Sequence, residues 1–292
     1  MAAIRDNNWQ PSKRNDIAEF SSQLDSNADR DLEIRFYKII LSRLHFRDMP
    51  NRAEAISKSH QNTFKWILHG KPQESQLPSW DSLTDWLCQE NSSIYWIAGK
   101  PGSGKSTLMR FLSEHDRIFE LVHQWVGQER LLKASFYFWN SGTAMQMSRL
   151  GLLQTLLYSC LSQDKALITS IFTTRWEQYQ AFGGGREPFD WPELQRAFNT
   201  MLSNATAKFF FLIDGLDEFD GEPKEIIDMV INASRPHVKL CVASRPWTPF
   251  ENAFGKRPNL LLEQLTYRDI SLYVTTHFED NEFVTDLRIG IQ

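Results

Sequence analysis

Apolar residues recur every three or four positions in the first part of the chain, which is the period of an amphipathic helix. This period predicts a helix of about 16 residues that begins near Asp29 and ends before Pro50. We expect its apolar stripe to pack on the core of the same chain in preference to a partner domain. A second helix is predicted over residues 52–68, and a shorter one follows near residues 83–87. The stripe consists of Leu32, Phe36, Ile40 and Leu44.

Beyond residue 93 the pattern changes, and short apolar runs alternate with helical stretches. The runs are apolar throughout, which is typical of strands that are buried on both faces of a parallel sheet. The alternation with helices predicts an α/β fold in three layers, with a mainly parallel five-stranded sheet and a helical segment before it. A last helix is predicted from Thr266 to His277, with a capping box formed by Thr266 and Asp269. The predicted strands are Ile94–Ala98, Ala134–Trp139, Phe209–Ile213, Val238–Ala243 and Asn259–Leu265.

The first strand runs directly into a glycine-rich segment that fits G-x-x-x-x-G-K-[ST], the phosphate-binding loop of P-loop NTPases. Glycines let successive backbone N–H groups turn inward and form an anion nest, and the following helix directs its positive end at the phosphate. Lys105 is expected to reach the β- and γ-phosphates, Ser106 to ligate Mg²⁺, and Thr107 to lie near the α-phosphate. The motif consists of Gly99, Lys100, Pro101, Gly102, Ser103, Gly104, Lys105, Ser106 and Thr107.

A run of acidic residues ends the strand at Phe209–Ile213. A carboxylate at the end of a buried strand is costly unless it meets a cation. Asp214 is therefore our candidate for holding the Mg²⁺ opposite Ser106. Asp217, with Glu218 as the alternative, is the candidate for polarising a water that attacks the γ-phosphate; the competing interpretation is that these two acids only cap or solvate the loop.

Arg245 follows the strand at Val238–Ala243. A guanidinium at the carboxyl end of a strand beside the phosphate strand can reach a γ-phosphate and report its presence. The alternative is a loop arginine that pairs with a surface carboxylate. A second glycine-rich segment, Gly183–Gly185, follows a predicted helix and lacks the Lys-Ser pair, so we interpret it as a flexible connector.

Three segments together resemble the NACHT branch of the STAND signalling ATPases: Gly99–Thr107, Asp214–Glu218 and Ala243–Pro246. The segments Thr63–Leu68 and Ser92–Gly99 are similar to the nephrocystin-like N-terminal form found in fungal NLR-type receptors. The resemblance implies a switch that is closed with ADP and active with ATP. It assigns Walker A to Gly99–Thr107, the magnesium acid to Asp214, the catalytic carboxylate to Asp217 and the first sensor to Arg245. Because some fungal relatives are associated with GTP, GTP and GDP remain alternatives.

The pattern along the chain, taken with the resemblance, divides it into four parts. These are a weakly ordered lead-in over residues 1–28, a helical linker over 29–93, the nucleotide-binding domain over 94–277, and a truncated segment over 278–292. In such relatives an N-terminal effector domain and C-terminal sensor repeats flank this domain, and activation brings copies together as a homo-oligomer. We therefore expect the chain to hold the nucleotide-binding core alone. The implied role is a slow NTPase switch in innate immunity or heterokaryon incompatibility.

The composition of the chain argues against several classes of protein function. The 292 residues include 32 Lys+Arg and 36 Asp+Glu, and this acidic balance argues against a general nucleic-acid partner. No run approaches the length of a membrane span, and no secretory signal is visible at the start. Three widely spaced cysteines predict buried thiols in the cytoplasm rather than disulfides or a zinc site.

Other P-loop classes are less well matched. The Asn-Lys-x-Asp motif of small GTPases and the Leu-Ser-Gly-Gly-Gln signature of transport ATPases do not occur. Two alternatives stay open. One is a phosphotransferase, for which Arg149, Arg175 and Arg186 are too dispersed to suggest a lid; the other is a scaffold module that keeps its nucleotide without hydrolysing it.

Overall fold

The structure, a computed structural model, describes residues 14–59, 63–68, 80–90, 92–203 and 206–265, with backbone alone for 14–26. The predicted helix from Thr266 to His277, the segment 278–292 and the first half of the predicted lead-in lie outside the described residues. Within them, none of the helices combines the length and the hydropathy that crossing a membrane would require.

A five-stranded sheet forms the centre of the molecule, and all of its strand pairs are parallel. The strands lie in the order β2-β3-β4-β1-β5, so that β1 pairs with β4 on one side and with β5 on the other. The predicted fold class is confirmed. The strands are β1 (Ile94–Ala98), β2 (Arg130–Tyr137), β3 (Ala207–Asp214), β4 (Val238–Ser244) and β5 (Asn259–Leu261).

Side chains that alternate along the strands separate into two apolar clusters, one on each face of the sheet. On β3, for example, Phe209 and Phe211 belong to one cluster, whereas Phe210 and Leu212 belong to the other. Every residue of β1, β3 and β4 is buried. The uninterrupted apolar runs thus arise because each face meets its own layer of helices.

Two layers of helices cover the sheet. The face that carries Phe209 is covered by α1 and by α6 to α11, and the other face by α3, α4 and α5. The helices are α1 (Arg14–Leu44), α2 (Asn51–Ala55), α3 (Leu83–Cys88), α4 (Lys105–Glu114), α5 (Asp116–Val126), α6 (Arg149–Gln163), α7 (Leu167–Ile171), α8 (Thr173–Phe182), α9 (Trp191–Leu202), α10 (Pro223–Ala233) and α11 (Thr248–Phe254).

The N-terminal stripe packs inside the chain, as expected. Phe36, Ile40 and Leu44 are fully buried in the first cluster. The Phe36 ring lies 5.0 Å from the ring of Trp176 and 5.4 Å from that of Tyr179. Helix α1 begins at Arg14 rather than near Asp29, so the apolar stripe marks only the last part of the helix.

The predicted helix over residues 52–68 is wrong. Helix α2 ends after Ala55, and Ile56 adopts an extended conformation with φ −68° and ψ 126°. A short 3-10 helix follows at Lys65–Leu68. Ile56, Phe64 and Ile67 are all buried in the second cluster, and the extended backbone at Ile56 lets the chain turn from α2 toward that cluster.

The edge strands also differ from their predicted bounds. Strand β2 starts at Arg130 and ends at Tyr137; it pairs only with β3 among the described strands, so polar residues such as Lys133 are tolerated. Strand β5 has three residues, and the chain then forms a 3-10 turn at Leu262–Gln264. Of the three cysteines, all free, Cys160 and Cys241 are buried and Cys88 is half-buried.

Candidate functional site

The carboxyl ends of the parallel strands meet at one edge of the sheet, and the predicted chemistry lies there. The glycine-rich loop follows β1, Asp214 ends β3, and Arg245 follows β4. Because β4 lies between β3 and β1, these three features become neighbours although about 145 residues separate the first from the last in sequence. The Gly99 N–H donates to the carbonyl of Ser244 at 3.2 Å and joins the loop to the end of β4. Ligands bind at this edge in open α/β sheets.

Two glycines give the loop its shape. Gly102 has φ 76° and Gly104 has φ 92°, values that residues with a Cβ adopt at a cost. Helix α4 begins at Lys105 directly after Gly104, and no side chain caps its first turn. Its leading N–H groups are therefore left for a ligand, and the positive end of the helix faces the same space.

Gly99 is required for a different reason, which is close packing. A Cβ at this position would lie 2.5 Å from Ser103 Oγ and 3.2 Å from Glu263 Oε2. Glu263 Oε2 also accepts a hydrogen bond from the Lys100 N–H at 3.2 Å. The carboxylate of Glu263, in the turn after β5, thus holds the start of the loop.

Lys105 folds back across the loop. Its Nζ donates to the carbonyl of Gly99 at 2.6 Å and to that of Lys100 at 3.0 Å. Burial lowers the pKa of Lys105, and the nearby carboxylates of Asp217 and Asp214 oppose that shift. The ammonium group is thereby placed over the loop, beside the acids at the end of β3.

Asp214 is almost completely buried, at 2% exposure. Burial raises its pKa from 3.8 to about 6, although the Ser106 hydroxyl and the Lys105 charge act in the opposite direction. Its Oδ1 has no hydrogen-bond partner among the described residues. A buried carboxylate oxygen without a partner has lost its hydrogen bonds to water and has not gained the protein hydrogen bond or cation that normally replaces them.

Asp217 and Arg245 form an ion pair at the far wall. Arg245 Nε lies 3.0 Å from Asp217 Oδ2, and the Arg245 N–H donates to Asp217 Oδ1 at 2.9 Å. Both carboxylate oxygens of Asp217 are therefore engaged by one residue. Glu218 differs, because its Oε2 accepts from the Asn140 N–H at 3.0 Å and no hydrogen bond to its other oxygen is found among the described residues.

A cavity of about 360 Å³ opens between the loop and these acids. Gly99, Lys100 and Ser103 shape the loop without lining the cavity. Most of the residues that the sequence predicts for the site line this space together, and their individual roles stay predictions. They are Pro101, Gly102, Gly104, Lys105, Ser106, Thr107, Asp214, Asp217, Glu218 and Arg245.

Buried polar atoms without partners concentrate at this cavity. In the described part of the chain five such side-chain atoms occur, and three of them are Asp214 Oδ1, Ser103 Oγ and Arg52 Nε. Asp214 and Arg52 line the cavity, and Ser103 lies within the loop. Native proteins leave few buried polar groups unpaired, and such groups call for an explanation such as a bound ion or ligand.

Sequence reasoning missed Arg52 and Glu263. Arg52 lies on α2, in a segment predicted to be a linker, and its polar surroundings in sequence give no sign of a site. Glu263 lies where a strand is predicted, so its contact with the loop was not expected. Neither residue belongs to a recognisable motif, and only the path of the folded chain brings them to the loop.

The chain can be compared with known protein families. The chain matches the family described as nephrocystin 3, N-terminal, over residues 62–245, which is more than half of its length. The matched region starts before β1, includes the loop and the acidic residues, and ends at Arg245. This agrees with the nephrocystin-like part of the resemblance, whereas the NACHT and fungal-receptor assignments stay predictions.

Similarity to individual proteins is remote. No curated protein matches the chain. Among solved structures, the cytoplasmic domain of the Thermomonospora curvata type VII secretion ATPase EccC aligns at 14% identity with a TM-score of 0.28. The alignment covers 59% of this chain and 19% of that one. A likeness of this extent supports no functional argument.

Proposed function

The chain belongs to the nephrocystin 3, N-terminal family, and we propose that its cavity binds a nucleoside triphosphate with Mg²⁺ and hydrolyses it slowly, as a switch. The observation that carries this proposal is the concentration of unpaired buried polar atoms around the loop. A site built only to stabilise the fold would have paired them internally. A phosphate chain with a cation supplies the missing partners.

The phosphate chain would lie along the loop. The uncapped first turn of α4 offers backbone N–H groups, and Gly102 and Gly104 hold these groups in a concave arrangement. Lys105 now donates to two loop carbonyls, and it needs only to change partners to reach phosphate oxygens. Its lowered pKa also reports partial desolvation, which strengthens attraction to an anion.

The residues at the end of β3 fit a magnesium ion. Ser106 and Asp214 provide a hydroxyl and a carboxylate, which are the hard oxygen ligands that Mg²⁺ prefers. They would hold the ion, which when bound offsets the charge of the phosphate oxygens. No cluster of three or more His, Cys, Asp or Glu ligands occurs among the residues described, so this ion would depend on the nucleotide for most of its coordination.

For water activation, the contacts favour Glu218 over Asp217. Asp217 holds Arg245 with both oxygens, and a base must have an oxygen available for the water proton. Glu218 keeps an oxygen free of protein hydrogen bonds within the described residues while Asn140 fixes the other. We therefore propose Glu218 as the base, Asp217 as the residue that positions Arg245, and Arg245 as the group that senses the γ-phosphate.

As a switch, the domain would alternate between ATP-bound and ADP-bound states, with GTP and GDP as the alternative pair. We propose that it occupies residues 94–277 and serves a fungal NLR-type receptor in the cytoplasm. An N-terminal effector, C-terminal sensor repeats and a homo-oligomeric active state complete this proposal. The family match is compatible with it, and the activity of such a whole receptor is part of the proposal alone.

A scaffold module that retains nucleotide is the second candidate, and the occupied oxygens of Asp217 favour it. A phosphotransferase is less well supported. Arg149 lies over the Trp191 ring at 4.6 Å, and Arg175 pairs with Glu193. Neither arginine is available to close over a second substrate.

The proposal is tested by identifying the nucleotide that co-purifies with the chain. The protein is denatured, and its supernatant is analysed by ion-pair chromatography and mass spectrometry beside Lys105→Ala prepared in parallel. We expect a near-stoichiometric adenine or guanine di- or triphosphate in the wild type and its loss in the variant. A wild type that carries no nucleotide, and whose melting temperature does not respond to added Mg-ATP or Mg-GTP, would contradict the proposal.

A further inference from the structure

We propose that Arg52, in the helical segment before the family domain, binds the terminal phosphoryl group of the triphosphate and so makes this segment part of triphosphate recognition. The inference rests on the proposed function and extends it to a residue outside the matched region 62–245. It assigns a ligand-binding role to a segment that the sequence marks only as a linker.

The position of Arg52 is fixed from both sides. Gln146 Nε2 donates to the carbonyl of Asp48 at 3.0 Å, just before α2. At the other end of α2, the guanidinium of Arg110 donates to the carbonyls of Glu54 and Ile56. Because Arg110 belongs to α4, the helix that starts at the phosphate loop, α2 is tied directly to the element that would bind phosphate.

The side chain of Arg52 points into the cavity. It contributes to the wall together with Gly215 and Glu218. Its guanidinium carbon lies 5.4 Å from the ring centre of Trp139, which follows the strand paired with β3. This contact orients the planar group, and its charge favours the ionised form of Asp214.

Among the three cationic side chains that line the cavity, Arg52 has the fewest hydrogen bonds and ion pairs with described residues. Lys105 donates to two loop carbonyls, and Arg245 pairs with Asp217. By contrast, Arg52 Nε is buried and has no hydrogen-bond partner in the described residues. A buried guanidinium N–H without an acceptor is costly, which a phosphate oxygen would relieve.

The residues around the cavity indicate which phosphate Arg52 would contact. The loop and Lys105 line one side of the cavity, where the first two phosphates of the chain would bind. A third phosphoryl group extends the chain toward the wall that carries Asp214 and Glu218. The cation of Arg52 would offset the repulsion between this group and the carboxylate of Glu218, which lines the same wall. A diphosphate would end before that wall and would therefore gain little from the charge of Arg52.

The test compares binding of a diphosphate and a non-hydrolysable triphosphate. Co-purifying nucleotide is first removed, and isothermal titration with Mg-ADP and Mg-AMP-PNP is then carried out on the nucleotide-free wild type, on Arg52→Gln and on Arg47→Gln. The guanosine pair replaces them if the wild type binds it more tightly. Arg47 is exposed and lies five residues away, so its variant controls for the loss of one positive charge in the same segment.

We expect Arg52→Gln to weaken AMP-PNP binding by about 10- to 100-fold, the loss typical of one charge-assisted hydrogen bond. ADP binding should change by less than about two-fold, and Arg47→Gln should match the wild type. Equal weakening of both nucleotides, or no weakening of either, would overturn the role of Arg52 while leaving the proposed function intact. Absence of binding by the wild type would instead defeat the proposed function itself.

Folding is checked by thermal denaturation without nucleotide. If Arg52→Gln unfolds, Arg52→Met replaces it, because methionine keeps an unbranched stem against Trp139 and removes only the cation. The same change in the triphosphate-to-diphosphate ratio is expected. Unfolding of both variants would also overturn the proposal, because it would show that the guanidinium serves the fold.

Discussion

Two glycine-rich turns in this molecule have similar backbones and different surroundings. In the loop after β1, Gly102 and Gly104 have positive φ values of 76° and 92°. At the end of α8, Gly183 and Gly185 have positive φ values of 67° and 75°. The first turn begins a helix, whereas the second ends one. Backbone conformation alone therefore does not separate a binding loop from a structural turn.

The polar groups around each turn make the difference. At the second turn the Arg175 guanidinium donates to the carbonyls of Gly185, Glu187 and Pro188 and to the carboxylate of Glu193. The segment is thus anchored, and it is not the flexible connector that the sequence suggests. At the first turn, buried polar atoms stay unpaired. We propose that these unpaired polar groups, and not the glycine conformation, make the first turn a binding loop.

The largest expected effect concerns the second turn. Replacing Arg175 by methionine removes one partner of a buried ion pair and leaves three carbonyls without their donor. We expect the free energy of unfolding to fall by about 3–5 kcal/mol, with nucleotide affinity unchanged in the protein that remains folded. Chemical denaturation and titration of Mg-nucleotide measure the two quantities.

Arg186→Met is the matched control, because Arg186 is exposed in the same segment and should alter stability by less than about 0.5 kcal/mol. If Arg175→Met weakened nucleotide binding without loss of stability, the division between the two turns would be refuted.

The next effect separates Glu218 from Asp217. We expect Glu218→Gln to slow hydrolysis by about 100-fold, because a general base contributes at least that much, and to leave the dissociation constant of the nucleotide nearly unchanged. Asp217→Asn should instead reduce the preference for triphosphate over diphosphate, because it releases Arg245. Single-turnover phosphate release and equilibrium binding measure these changes. The opposite pattern, in which Asp217→Asn alone abolishes turnover, would return the water-activating role to Asp217.

A smaller effect follows from the pKa of Asp214. Burial raises this pKa from 3.8 to about 6, so the folded chain without ligand keeps the proton of Asp214 up to a higher pH than the unfolded chain does. The stability that Asp214 contributes is therefore fully present below about pH 4 and is lost as the pH rises through about 6, where the buried group ionises. Asp214→Asn cannot ionise, and near pH 7 it should be more stable than the wild type by on the order of 2 kcal/mol.

Denaturation of the nucleotide-free proteins between about pH 4 and 7.5 checks this sign, with Asp220→Asn, at an exposed position, as the control. The same Asp214→Asn variant should lose the Mg²⁺ dependence of nucleotide binding. A stability difference that stays constant with pH would show that ionisation of Asp214 is not its cause.

The smallest effects come from the glycines themselves. An alanine at Gly183 has open space around its Cβ and should cost only the strain of positive φ, about 1 kcal/mol, which asparagine at the same position should partly restore. Gly104→Ala should cost a similar amount and also weaken nucleotide binding by about ten-fold, because it disturbs the N–H groups of the loop. Equal effects of both alanines on binding would remove the contrast between the turns.

The interior of the sheet was predictable because β1, β3 and β4 are buried on both faces and hence consist mostly of apolar residues. Lys208 and Lys239 are buried exceptions whose ammonium groups donate to backbone carbonyls. The edge strand β2 was predicted four residues late, since its polar Arg130 and Lys133 interrupt the run. The loop could be predicted because its motif has fixed residue types at fixed spacing, and Asp214 because an acid ends a buried apolar strand; the roles of both stay predictions. Arg52 could not be found in this way, because its role depends on the extended turn at Ile56 and on the hydrogen bonds from Arg110 and Gln146, which no local pattern encodes.

The claim that the loop after β1 binds a phosphate chain is tested most directly by titrating Mg-nucleotide into the wild type and into Lys105→Ala, both freed of co-purifying nucleotide and shown to be folded. We predict saturable one-to-one binding by the wild type and a loss on the order of 100-fold or more in the variant, because the ammonium group beside the phosphates is removed. Equal affinity of the two proteins, or no binding by either, would contradict the claim.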